Sequence, residues 1–157
     1  MLQEIERKFL VTNSSFKEKS FKKTYIKQGF LNSNKNRIVR IRITDNKGFI
    51  TIKGLSNLNG TTRFEWENEI DFKEATQLFS ICEDGIIEKN RFYVKSGNHV
   101  FEVDEFLGDN LGLIIAEIEL KNENDFFKKP IWLGNEVTGD EKYYNSVLSK
   151  NPYKNWK

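Results

Sequence analysis

The residues in this chain that could do chemistry come in alternating pairs. Glu4-x-Glu6 and Glu117-x-Glu119 each place two carboxylates two residues apart, and Lys8 continues the first series. Arg40-x-Arg42 and Lys89-x-Arg91 repeat the spacing with cations, while Lys53, Arg63 and Asp104 hold similar positions in alternating stretches of their own. On an extended chain this spacing returns both side chains to one face, about 7 Å apart. Carboxylates so placed suit hard cations such as Mg²⁺ or Mn²⁺, which take oxygen ligands and retain several waters. Guanidinium forks and ammonium groups donate to phosphate oxygens. Together they are the parts of phosphoryl transfer, in which positioning and charge neutralisation do most of the catalysis.

Composition narrows the options further. Among 157 residues there is one cysteine, Cys82, and one histidine, His99, so neither a disulfide framework nor a zinc site of nitrogen and sulfur ligands can be assembled. Any metal must sit on oxygen. Lys plus Arg number 25 against 23 Asp plus Glu, a net +2 that gives no argument for nucleic acid or an anionic membrane as partner. No Gly-x-x-x-x-Gly-Lys-Ser/Thr loop is present. The opening Met1-Leu-Gln-Glu-Ile-Glu-Arg-Lys8 carries charge where a signal peptide needs an apolar core, and no segment approaches the roughly 20 apolar residues of a membrane span, so a cytoplasmic location is expected. With two prolines, Pro130 and Pro152, and no linker-like tract, residues 1–157 read as one domain.

Positioning these residues falls to strands. Period-two alternation bounded by Gly, Asn or Asp predicts strands over Gln3–Val11, Tyr25–Leu31, Arg37–Thr44, Phe49–Gly54, Arg63–Ile70, Ile86–Lys95, Val100–Leu107 and Leu113–Leu120. The short connections at Asp45–Gly48, Ser96–Asn98 and Gly108–Asn110 favour antiparallel neighbours in a meander. Capping-box patterns at Asp71/Glu74 and Thr138/Glu141 predict helices over Phe72–Ile81 and Asp140–Lys150. The class is therefore mainly β (α+β).

One face of nearly every strand is ionisable. An antiparallel sheet with one wet face gives the same alternation. Yet Ser, Thr, Gln and Asn would serve a merely wet face, and here the polar positions are almost all Arg, Lys, Glu or Asp. About eight strands suffice to close a barrel, and closure turns one face inward. If the ionisable face is the inner one, Lys8, Arg40, Arg42, Lys53, Arg63, Lys89 and Arg91 share a cavity with Glu4, Glu6, Glu65, Glu67, Asp104, Glu117 and Glu119. Such a cavity is tolerable only if wet and stocked with ions, because a buried unpaired charge costs several kcal/mol.

Glu4-Ile-Glu-Arg-Lys8 resembles the Glu-x-Glu-x-Lys signature of the CYTH superfamily, the triphosphate tunnel metalloenzymes. Gln28-Gly-Phe-Leu31, Val39-Arg-Ile-Arg42, Thr51-Ile-Lys53, Arg63-Phe-Glu65, Glu88-Lys-Asn-Arg91, Val103-Asp104, Ala116-Glu-Ile-Glu119, Trp132-Leu-Gly-Asn-Glu-Val-Thr138 and Tyr143-Tyr-Asn145 follow in the family's order. The resemblance implies a closed tunnel of eight antiparallel strands with a charged lumen and a few covering helices. It also implies divalent-metal-dependent hydrolysis of a triphosphate, most like that of the bacterial inorganic triphosphatases, with thiamine triphosphatase and class IV adenylyl cyclase as alternatives in the same superfamily. By the same resemblance Lys8, Arg40, Arg42, Lys53, Arg63, Lys89 and Arg91 bind the triphosphate, and Glu4, Glu6, Asp104, Glu117 and Glu119 hold one or two Mg²⁺ or Mn²⁺ ions. Glu4, Glu6, Lys8 and Lys89 then stand at the chemistry. Where family members often follow Gln-Gly with tyrosine, this chain has Phe30, which removes a hydroxyl near Lys89.

Outside the superfamily, the alternative is a barrel that holds a polyanion without turning it over. A single-strand RNA binder would interleave aromatics with the basic residues, but Phe64, Trp66, Phe92 and Phe101 fall on the opposite face. His99 reads as a turn residue, Cys82 as a small core hydrophobe, and Tyr144, Val147 and Leu148 as a helical face covering the barrel. Apolar outer faces that the two helices fail to cover would suit a homodimer.

Overall fold

Strands form where alternation predicts them. The structure, a computed structural model, describes residues 2–156. In chain order the elements are β1 (Gln3–Val11), α1 (Phe16–Lys19), β2 (Lys22–Asn32), β3 (Arg37–Thr44), β4 (Lys47–Gly54), β5 (Thr62–Ile70), α2 (Phe72–Leu78), β6 (Ile87–Ser96), β7 (His99–Phe106), β8 (Ile114–Glu119), β9 (Leu133–Glu136) and α3 (Asn145–Leu148). The strands run β5-β4-β3-β2-β6-β7-β8-β1, and β5 pairs with β1 to close the barrel. Every pairing is antiparallel.

Tight hairpins set the meander. β3 turns into β4 at Asp45-Asn46, with Asp45 at φ +53°, and β6 into β7 at Gly97-Asn98, with Gly97 at φ +60°. Positive φ at the first turn residue is what a two-residue hairpin asks for, and Asp and Gly tolerate it. The long connection from β5 to β6 carries α2, whose Asp71 cap accepts from the backbone N–H groups of Lys73 and Glu74. Ala75 packs so close to β4 that a Cβ on Gly48 would lie 2.5 Å from its own.

β1 closes the barrel in an uneven way. On one edge it pairs with β8 over residues 6–10, Glu6 opposite Glu119 and Lys8 opposite Glu117. On the other it meets β5 only through residues 3–5, and beyond Phe9 that edge is taken by β9. Neither β9 nor α1 was expected. Each is four residues long, and Leu133-Gly-Asn-Glu136 has no alternation, so only the vacant edge of β1 makes it a strand.

The predicted helix over 140–150 is a correction. The chain instead makes a 3-10 turn at Glu141–Tyr143, an extended Tyr144 (φ −70°, ψ 135°), and then α3. Asp140 caps the turn through the Lys142 N–H. Thr138, expected to be the cap, accepts from the Lys8 N–H and donates to Glu136 instead. The break lets Tyr143 and Leu148 face the barrel end while residue 145 reaches inward.

Among the described residues there are two apolar cores. Outside the barrel, Phe9, Phe92, Val94, Phe101, Val103 and Ile118 are covered by Phe16 of α1 and by Phe127 and Trp132. At one end of the lumen, Phe30, Ile38, Ile87, Phe106 and Ile115 form an apolar ring closed by Tyr143 and Leu148, with Trp156 packed against them.

Candidate active site

Between that ring and the other end the lumen is charged. It encloses a cavity of about 210 Å³, lined by Glu4, Glu6, Lys8, Arg40, Arg42, Lys53, Arg63, Glu65, Glu67, Lys89, Arg91, Glu117 and Glu119, as the inward reading of the strands requires. Glu102, Tyr144, Asn145 and Ser146 also line it: Tyr144, expected on a helical face covering the barrel, is instead extended and faces the lumen, and Asn145 belongs to the Tyr143-Tyr-Asn145 segment, to which the resemblance attached no role. Glu102 shares the face of Asp104 and was legible from alternation. The other three come from the C-terminal segment, whose path no local pattern specifies. Asp104 is the exception: fully buried beneath the side chain it pairs with, Arg91, it does not line the cavity.

Cross-strand neighbours build the walls. On the β6–β2–β3 side, Arg91 faces Asp104 across the ladder and forks onto it, Nε to Oδ1 at 2.7 Å and Nη2 to Oδ2 at 2.9 Å. Lys89 Nζ reaches the same carboxylate at 2.8 Å, and Arg91 Nη1 meets Glu102 at 3.0 Å. Arg40 Nη2 donates to Thr51 and Glu67, and its buried Nε has no partner among the described residues. Arg42 has no carboxylate within 4 Å among the described residues; its Nε donates to Gln28 Oε1 at 3.3 Å. Burial, then Arg40 and Arg91 beside it, bring the Arg42 guanidinium down to about 9. Burial likewise lowers the Lys89 ammonium to about 8, although Asp104 opposes the shift.

On the β1–β8 side the excess is negative. Burial raises the Glu6 carboxyl well above the usual carboxylate range, and Glu117 and Glu4 push it further. Glu6 hydrogen-bonds Glu117, whose carboxylate is held low, against its burial, by that bond and then by Lys8 and Arg91. Glu119, exposed at one end, also rises, through burial and then Glu4 and Glu102. Between the two sides β4 and β5 are mixed. Lys53 Nζ bridges Glu4 at 3.1 Å and Glu65 at 3.2 Å, and Arg63 adds a 3.4 Å contact to Glu4. Burial works to raise Glu4, but Lys53, a bond from Glu65 and Arg63 draw it down to about 2. Lys8 pairs with no carboxylate within 4 Å among the described residues; its ammonium donates weakly to Tyr143 O at 3.4 Å and sits 4.9 Å above the Tyr144 ring.

A divalent cation fits the β1–β8 wall by donor chemistry. Glu6 against Glu117 is a carboxyl pair in contact, which needs a shared proton or a positive charge between its members. All donors there are carboxylate oxygens, as Mg²⁺ and Mn²⁺ prefer. As the side chains stand, no three carboxylate, His or Cys groups among the described residues converge on one point. Asp104, on β7 beside β8, is already engaged by Arg91 and Lys89. Phe30 lines the cavity as part of the apolar ring, and Lys89 takes its contacts from Asp104 and Asn145.

Comparison with known proteins gives the same picture. The CYTH domain model matches residues 2–151. A protein of Acetivibrio thermocellus named inorganic triphosphatase is 48% identical over 158 residues, covering 100% of this chain and 99% of that one. One of Nitrosomonas europaea with the same name is 33% identical, over 94% of this chain and 97% of its own. A crystal structure described as an inorganic triphosphatase is 31% identical, covers 95% of each chain and superposes with a TM-score of 0.68. Among the described residues no helix is long and apolar enough to cross a membrane.

Proposed function

Because the chain belongs to the CYTH domain family, we propose that it hydrolyses a triphosphate bound in the charged tunnel, inorganic tripolyphosphate first, with Mg²⁺ or Mn²⁺ as the metal. The observation that carries this reading is the segregation of charge in one cavity: only cations among the charged residues β3 turns inward, and an excess of carboxylates over the single cation Lys8 on β1 and β8. Strand order sets β8 across the barrel from β3, so these groups are kept apart by the backbone and cannot neutralise one another. A polyphosphate together with a divalent cation satisfies both sides at once.

Arg40, Arg42, Lys89 and Arg91 would take phosphate oxygens on their wall, with Lys8, Lys53 and Arg63 supplying donors from the others. Glu4, Glu6, Glu117 and Glu119 would hold the cation, whose part is to offset phosphate charge and acidify water. Asp104 is better suited to fixing Arg91 and Lys89 than to ligating metal. Water adds to a terminal phosphorus, the bridging P–O bond breaks, and pyrophosphate and orthophosphate leave. Lys89 Nζ, with its ammonium near 8, is suited to donating a hydrogen bond or proton to the departing bridging oxygen. The same reading places the enzyme in the cytoplasm, where the free Cys82 thiol needs no oxidised partner.

The test is turnover of tripolyphosphate, thiamine triphosphate, ATP and GTP with Mg²⁺ and with Mn²⁺. Tripolyphosphate is expected to be the best substrate, and chelator to abolish the reaction. Undiminished hydrolysis in EDTA would overturn the mechanism.

A further inference from the structure

Asn145 stands on α3, outside the barrel strands, yet its side chain lines the charged cavity. Its Oδ1 accepts from two groups, Gln28 Nε2 at 2.8 Å and Lys89 Nζ at 2.9 Å. Gln28 in turn accepts from Arg42 Nε through Oε1. Both ends of this relay are pinned by groups that can only donate, the ammonium of Lys89 and the guanidinium of Arg42. Each amide therefore has one possible orientation. Gln28 must turn its oxygen to Arg42 and hence its nitrogen to Asn145, and Asn145 must turn its oxygen to Lys89. Only Asn145 Nδ2 is left over. Among the described residues it has no acceptor, and it is not one of the buried orphan atoms, so it opens on the lumen.

We infer that Asn145 is a phosphate-binding residue of the tunnel, its Nδ2 donating to a phosphate oxygen held between Lys89 and Arg42. This rests on the triphosphatase reading of the same cavity and adds to it a neutral donor delivered by the C-terminal segment. Delivery is rigid. Leu148, three residues on, is buried in the apolar ring, and the Ser149 carbonyl lies where a Cβ on Gly85 would come within 1.8 Å. A neutral amide suits this position, since a third cation beside Lys89 and Arg42 would add like-charge repulsion at a point where Arg42 has no carboxylate partner among the described residues.

Two substitutions separate this role from simple support of Lys89. Asn145→Ala removes donor and acceptor together. Asn145→Asp keeps an acceptor for Lys89 and Gln28 but turns a second oxygen and a negative charge towards the lumen. Calorimetric binding of tripolyphosphate without metal should weaken about tenfold for Ala, as loss of one hydrogen bond to a charged group implies, and more for Asp. With saturating Mg²⁺, KM should rise in that order while kcat falls less. Asp binding as well as wild type would mean that Asn145 only holds Lys89, and Ala binding as well as wild type would remove any role; either overturns the inference. Should a variant fail to fold, the Asn145 side-chain amide resonances of the wild type decide, because they must shift on titration with tripolyphosphate and stay unmoved by chloride. Wild-type protein that bound no tripolyphosphate would instead remove the functional reading itself.

Discussion

The two facing walls of the tunnel carry opposite burdens. On β1 and β8, burial and then the neighbouring carboxylates raise Glu6 well above the usual carboxylate range; on β3 and β6, burial and then the neighbouring cations bring Arg42 down to about 9 and, against the pull of Asp104, Lys89 to about 8. β4 and β5, lying between, carry both signs, and there Lys53 pairs at short range with Glu4 and Glu65. Where the backbone lets opposite charges meet, they neutralise each other; where it holds them apart across the lumen, each keeps a deficit that only a ligand can fill. On the proposed function a metal polyphosphate would relieve both walls at once, and the walls should fail in different ways when altered.

The largest difference is expected from Glu119→Gln, on the carboxylate wall. Turnover with Mg²⁺ should fall at least about 100-fold, the upper range for loss of a mere outer-shell partner of a metal. Metal-free affinity for tripolyphosphate should hold or rise slightly, because negative charge is removed. Steady-state kinetics beside calorimetry measures both, and unchanged turnover would end the division of labour. Arg42→Ala, on the opposite wall, should do the reverse. Losing charge-assisted bonds of roughly 1.5 to 3 kcal/mol weakens metal-free binding by about 10- to 150-fold. Intact binding in that variant would make the cation wall ordinary surface.

The smallest effect is on stability. The folded Glu6 carboxyl titrates above the unfolded value of about 4.3, so its stabilising contribution is complete below that pH and is lost as pH rises through the elevated folded value. Each pK unit is worth about 1.4 kcal/mol, or some 3 to 5 °C in melting temperature for a chain of this size. Glu6→Gln should therefore melt higher than wild type at pH 8 without metal, with the gap closing towards pH 4. A gap that widened on acidification would contradict the strain assigned to Glu6.

How much of this could be read from sequence depended on where the two faces of a strand differ. Arg40-Ile-Arg42 and Glu117-Ile-Glu119 announce both the strand and its inward side, because one neighbour layer is charged and the other apolar. The apolar ring was hidden for the converse reason. Around Ile115 the neighbours Ile114 and Ala116 are apolar too, so alternation vanishes where lumen and exterior are both buried, and nothing local marks Phe30, Ile87 or Ile115 as inward. Asn145 was out of reach for another reason. Its position comes from the break at Tyr144 and the docking of Leu148, which are tertiary facts.

The uneven closure of β1 also sets an order of events during synthesis. β1 is made first, but its backbone groups pair with residues 62–64 and 115–119, so the strand waits for more than a hundred residues to follow before its main partner exists. At about 5 to 20 residues per second on the ribosome, that wait is roughly 5 to 20 s. For that interval the chain can form the β2–β5 meander but no lumen, and Glu4 and Glu6 remain in water, where separated carboxylates cost nothing. The charge segregation that equips the tunnel is thus imposed late, when β8 arrives and the walls are made to face each other.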